Sequence, residues 1–74
     1  MTRIPIRFTT VNDLVNFVNI VSRYEYRVSL KSENSILDAK SLVGVIVLSQ
    51  SANLEMLVDT LDCQDLLERV AAFA

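Results

Sequence analysis

Residues 38–48, Asp38-Ala39-Lys40-Ser41-Leu42-Val43-Gly44-Val45-Ile46-Val47-Leu48, read as a helix that opens on an aspartate and then runs apolar to its end. An aspartate just before an apolar run is a helix-start signal, because its carboxylate accepts from the free backbone amides of the first turn. Val45 and Leu48, three apart, supply a core-facing stripe. Leu42, Val43 and Ile46 are then apolar residues beyond what one buried face requires. Ser41 falls at about the third helical position after Asp38, where a phosphate would meet free amides and the positive end of the helix dipole. The plainer reading of the same residues is a tolerated first-turn serine on a helix covered on most sides, self-association included.

On the N-terminal side of this helix, residues 27–31 alternate as a strand with Val28 and Leu30 on one face, Glu33-Asn34 suits a tight turn, and residues 35–37 return as a partner strand. On its C-terminal side, Asn53 precedes a strand over residues 54–59 with Leu54, Met56 and Val58 on one face. Near the start, Ile4, Ile6 and Phe8 alternate with Arg3, Pro5 and Arg7, a strand that Pro5 assigns to a sheet edge. Thr10 followed by Asp13 marks a helix start, and Val11, Leu14, Val15, Val18 and Val21 continue at helical spacing over residues 11–23. Asp62 with Asp65 repeats the capping pattern before a last helix to the end of the chain, with Cys63, Leu66, Leu67 and Val70 inward. The order β-α-β-β-α-β-α predicts a single α+β domain over residues 1–74, a two-layer, open-faced sandwich with a four-stranded antiparallel sheet and three helices on one face.

Seventy-four residues with 51% hydrophobic side chains, one Gly and one Pro exclude a disordered tail. No apolar run approaches the roughly 20 residues that span a bilayer, and no secretory leader pattern opens the sequence, so a cytoplasmic, membrane-free protein is expected. The single cysteine fits a reducing compartment. Cys63 is surrounded in sequence by Asp59, Asp62 and Asp65, has no histidine to serve as base, and lies on an apolar stripe, so core packing outweighs nucleophilic chemistry. With no histidine and no cysteine pair, no metal site and no cofactor are expected.

Charge is uneven along the chain. Arg3, Arg7, Arg23, Arg27 and Lys31 face only Asp13 and Glu25 in the first part, whereas Lys40 and Arg69 stand against seven acids in the rest.

The run Lys-Ser-Leu-Val-Gly-Val-Ile-Val-Leu at residues 40–48 closely resembles the second helix of HPr phosphocarrier proteins of the bacterial sugar phosphotransferase system. The resemblance extends without a gap from Ser22 through Tyr24, Val28, Leu30 and Asn34 to Leu48, and is one of element order outside that block. It implies the strand order 1-4-2-3, which places Glu55 and Asp59 of the fourth strand between Arg3/Arg7 and Arg27/Lys31. The expected result is a mixed-charge open sheet face stabilised by cross-strand pairs and unsuited to nucleic acid.

The resemblance also implies what is missing. The family's phosphorylated histidine position falls on Thr10 and its arginine position on Asn12, while Asp13 stands where a proline is usual. A threonine hydroxyl with no base is a poor phosphoryl acceptor. The chain therefore resembles a histidine-less variant such as the catabolite-repression HPr paralogue of low-GC Gram-positive bacteria. That analogy implies a non-enzymatic regulatory protein, modified on Ser41 by a serine kinase and docking a transcriptional regulator through Leu42, Val43 and Ile46. The competing reading is an assembly module that uses the apolar helix for dimerisation or docking without phosphorylation.

Overall fold

A computed structural model describes residues 2–51 and 53–73. In chain order the elements are β1 (Thr2–Pro5), α1 (Val11–Val21), β2 (Val28–Lys31), β3 (Ile36–Asp38), α2 (Leu42–Leu48), β4 (Glu55–Val58), α3 (Gln64–Arg69) and a closing 3-10 turn (Ala71–Phe73). The four strands form one antiparallel sheet in the order β1-β4-β2-β3, with the helices packed on one face.

The period-2 pattern of the strands explains which face is covered. Val28 stands opposite Val58, and Leu30 opposite Met56, and all four side chains are fully buried. Against them pack Leu14, Phe17, Val18 and Val21 of α1, Val45 and Leu48 of α2, and Leu66, Val70 and Phe73 of the C-terminal segment. The other face is open to solvent, although Leu57, in the central strand, is itself buried between its register neighbours Arg3 and Ser29.

Pro5 lies in β1, an edge strand, as its missing amide requires. Beyond β1 the ladder continues through the Ile6 amide to the Leu54 carbonyl at 2.9 Å. The chain then turns inward at Phe8, whose ring stands edge-on to Phe17 at 5.2 Å, while Phe17 and Phe73 make a second edge contact at 6.0 Å. This aromatic trio ties the β1–α1 connection, α1 and the chain's last turn together.

Several boundaries and faces differ from the sequence expectation. The buried stripe of α1 is Leu14, Phe17, Val18 and Val21; Val11 and Val15, which share the helical spacing, are exposed. The i, i+3, i+4, i+7 set that contains Phe17 buries more area, and the helix rotates to place it inward. The last helix is shorter than expected: α3 ends at Arg69 and a 3-10 turn follows, with Ala74 outside the described residues. Its cap position is Cys63, not Asp62, and no side chain caps it.

The expected cross-strand pairing of charges is also absent. Glu55 is opposite Lys31 in register, yet among the described residues the ion pair within 4 Å is Arg69 with Asp65, at 3.4 Å on α3. Exposed partners in water gain too little to hold two long side chains in one geometry.

Phe17 joins the sheet-covering helix to both other phenylalanines. Phe17→Ala is therefore expected to destabilise the fold by about 3–5 kcal/mol, as a lowered urea midpoint with little change in slope.

Candidate functional site

Two helix N-termini carry the residues singled out in the sequence. At α1, Thr10 is the N-cap, in extended conformation, and its hydroxyl accepts from the Asp13 amide at 3.2 Å. Asp13 reaches back in return: its Oδ2 accepts from the Thr9 amide at 2.9 Å, the Thr9 hydroxyl at 2.7 Å and the Thr10 amide at 3.3 Å. This is a complete capping box. The hydrogen bond from the Thr9 hydroxyl, then that from the Thr9 amide, holds the Asp13 carboxyl below the ordinary aspartate range.

The Thr9 and Thr10 amides are thus turned on the protein's own carboxylate, whose charge at this helix end opposes an external anion. Asn12 is exposed. The Thr10 hydroxyl is already used as a cap, and the Asp13 carboxylate beside it is engaged with Thr9 and the Thr10 amide.

At α2 the structure corrects the sequence reading. Asp38 is the last residue of β3, and the helix begins at Leu42 with Ser41, not Asp38, as its N-cap. The Asp38 carboxylate instead closes a local turn, its Oδ1 accepting from the Lys40 amide at 2.9 Å. An aspartate two residues before a turn amide makes this bond readily. Ser41 Oγ accepts from the Gly44 amide at 3.3 Å, and the Val45 amide donates to the Ser41 carbonyl at 2.9 Å, the first helical bond. Ser41 is exposed. Lys40 does not lean toward it, because Nζ donates to the Tyr24 carbonyl at 2.6 Å and ties α2's approach to the end of α1.

Val45 and Leu48 of α2 face the core, whereas Leu42, Val43 and Ile46 are 38%, 73% and 43% exposed. Val47, which the sequence reading passed over, is 66% exposed. Its signal was present in the sequence, since a seven-residue helix with Val45 and Leu48 inward leaves Val47 outward. At Gly44 a Cβ would stand 3.3 Å from Leu37 Cδ1, a tight contact with the tip of a partly exposed, flexible side chain.

Tyr24 and Tyr26 stack at 5.4 Å, and the Tyr24 hydroxyl donates to Asp65 Oδ2 at 2.5 Å, latching α3 to the loop after α1. The Asp65 carboxylate keeps the proton on Tyr24, so that phenol is held above its ordinary value. Cys63 is buried in the core cluster. Among the described residues no group of three or more His, Cys, Asp and Glu converges on a metal-sized site. No helix among them is long and apolar enough to cross a membrane.

Two solved structures share this architecture at low sequence identity. HPr-C-His from Thermoanaerobacter tengcongensis superposes with a TM-score of 0.73 at 18% identity, over 96% of this chain and 85% of that one. The phosphocarrier protein HPr from Bacillus anthracis str. Ames superposes with a TM-score of 0.75 at 16% identity, over 99% of this chain and 94% of that one. The fold is HPr-like. No protein-family model matches the sequence, and neither does any curated protein. Within the HPr-like frame, Thr10 caps the first helix with Asp13 as its reciprocal partner, and Ser41 caps the second.

The depressed Asp13 carboxyl has a pH consequence. Its contribution to stability is fully present above the ordinary aspartate range and is lost as pH falls through the lower, native value. Asp13→Asn is expected to lower the urea midpoint at neutral pH and to shrink the difference between neutral and acidic midpoints relative to wild type. Equal acid losses in the two proteins would contradict this role.

Proposed function

We propose that this HPr-like chain is a non-enzymatic, cytoplasmic regulatory protein that lacks a phosphoryl-carrying centre and is recognised by a protein partner through α2. The observation that carries the reading is the exposed apolar surface of Leu42, Val43, Ile46 and Val47 beginning directly after the exposed Ser41. Four neighbouring apolar side chains on one short helix give a partner a dry contact, and the adjacent hydroxyl gives a kinase a substrate. The family's carrier histidine and arginine positions fall on Thr10 and Asn12, and the sequence contains no histidine. The Asp13 carboxylate, held on the amides of Thr9 and Thr10, supports the same conclusion, because its negative charge at this helix end repels an incoming phosphoryl group.

Phosphorylation of Ser41 would replace an accepting hydroxyl with accepting phosphate oxygens. The acceptor role toward the first-turn amides is retained, and a dianion is added beside the apolar surface. The modification then alters the docking surface with little demand on the fold.

One observation favours the second reading, an assembly module without phosphorylation. Ser41 Oγ already serves as the helix cap, which is reason enough for a serine at this position.

An ATP-dependent HPr serine kinase separates the two readings. Intact mass spectrometry is expected to show one phosphate on the wild type and none on Ser41→Ala. Val43→Asp is expected to raise the kinase KM for the protein by about tenfold or more while leaving its melting temperature unchanged. An unmodified wild type would remove the phosphorylation mechanism.

A further inference from the structure

Tyr24, in the connection between α1 and β2, is bonded toward each of the three helices. Its amide donates to the Val21 carbonyl at 3.2 Å, continuing the end of α1. Its carbonyl accepts from Lys40 Nζ at 2.6 Å, in the turn that leads into α2. Its hydroxyl donates to Asp65 Oδ2 at 2.5 Å, in the first turn of α3. The ring stacks on Tyr26 at 5.4 Å with 27° between the planes.

The bonds to Lys40 and Asp65 each have one charged partner, which makes them stronger than bonds between neutral groups. Both also fall where little else holds the chain. α3 is six residues long, and its N-cap, Cys63, makes no side-chain cap bond. Among the described residues, Tyr24 is the one side chain outside α3 that hydrogen-bonds to it. α2 is seven residues long and is capped by Ser41 Oγ on the Gly44 amide, with Lys40 immediately before that cap. Short helices depend on fixed ends, since their own bonds barely offset the cost of ordering a first turn.

We infer that Tyr24 couples the start of α2 to the start of α3, so that loosening either of its charged bonds loosens both helices. The link is one contiguous residue, with its amide tied to α1 and its ring held against Tyr26. The stack restrains the ring from swinging alone, and a displaced phenol therefore moves the carbonyl that Lys40 grips. Asp65 is in turn steadied from within α3, because its Oδ2 also lies 3.4 Å from Arg69 Nε. Coupling of this kind is reciprocal. A partner that steadies the approach to α2 also quiets α3, and a contact on Asp65 and Arg69 reaches the Ser41 segment. That regulatory use rests on the recognition role of α2; the coupling itself does not, and it is measured on the free protein.

Amide hydrogen exchange at neutral pH tests it with two variants. Tyr24→Phe removes the hydroxyl and keeps the ring, whereas Lys40→Met removes the ammonium and keeps the stem. Each is expected to speed exchange about threefold or more at Leu67 and Val70 and also at Gly44 and Val45, with the amides of β4 unchanged. Lys40→Arg retains the charged donor and is expected to stay close to wild type.

Faster exchange confined to Leu67 and Val70 in Tyr24→Phe, or confined to Gly44 and Val45 in Lys40→Met, would overturn the inference. So would a uniform rise that includes β4, which marks a loss of global stability. If Tyr24→Phe fails to fold, Lys40→Met decides alone, since its effect must appear at α3. Kinase treatment of the wild type decides the phosphorylation of Ser41, so the two readings fail separately.

Discussion

The insertion of β4 between β1 and β2 is the constraint on which the other elements depend. β1 has no other strand partner, and the β2–β3 hairpin has no other way to join the sheet. Met56 and Val58 carry the inward half of this strand with no exposed surface, directly beneath the helices. In a chain this short, a well-buried central strand and its covering helix supply much of the apolar burial available. The positions of both helix N-termini follow from it. The turn after β1 is anchored by the Ile6–Leu54 bond and leads into Thr10, and the turn after β3 hangs from the Ala39–Val28 bond and leads into Ser41.

Within that frame the two N-termini have opposite chemistry. The one at α1 is closed: a carboxylate from the helix's own first turn takes the amides and hydroxyl that precede it. The one at α2 is plain, with a serine cap, an exposed hydroxyl and an apolar surface following. A helix end that already holds its own carboxylate is a poor place for a phosphoryl group, whereas an exposed apolar surface can gain by being covered. The asymmetry is what the proposed recognition through α2 rests on.

Much of this was legible in the sequence because the signals were local. Alternation over residues 28–31 and 54–58 marks the inner faces, Thr10 with Asp13 marks the first cap, and the spacing of Cys63 with Leu66 and Val70 marks a core thiol. The misreadings occurred where two local structures share one residue pattern. Asp38 reads as a helix cap because an aspartate that closes a turn onto Lys40 makes the same kind of bond as one that caps a helix. The true cap was visible three residues later, as Ser41 followed by Gly44. Phe17 was passed over because Val11 and Val15 also lie at helical spacing, and the choice between two overlapping stripes is made by the sheet beneath. The charge pattern suggested cross-strand pairs, but register alone does not bring solvated ends into contact.

The central claim is that this HPr-like frame has no centre at the start of α1 that takes a phosphoryl group from the phosphotransferase chain. The most direct test is incubation of the protein with phosphoenolpyruvate and the phosphotransferase enzyme that charges HPr, followed at once by intact mass measurement under non-acidic conditions. The account predicts an unchanged mass alongside a fully charged HPr control. A phosphorylated chain, with the group mapped to the Thr9–Asp13 turn, would contradict it.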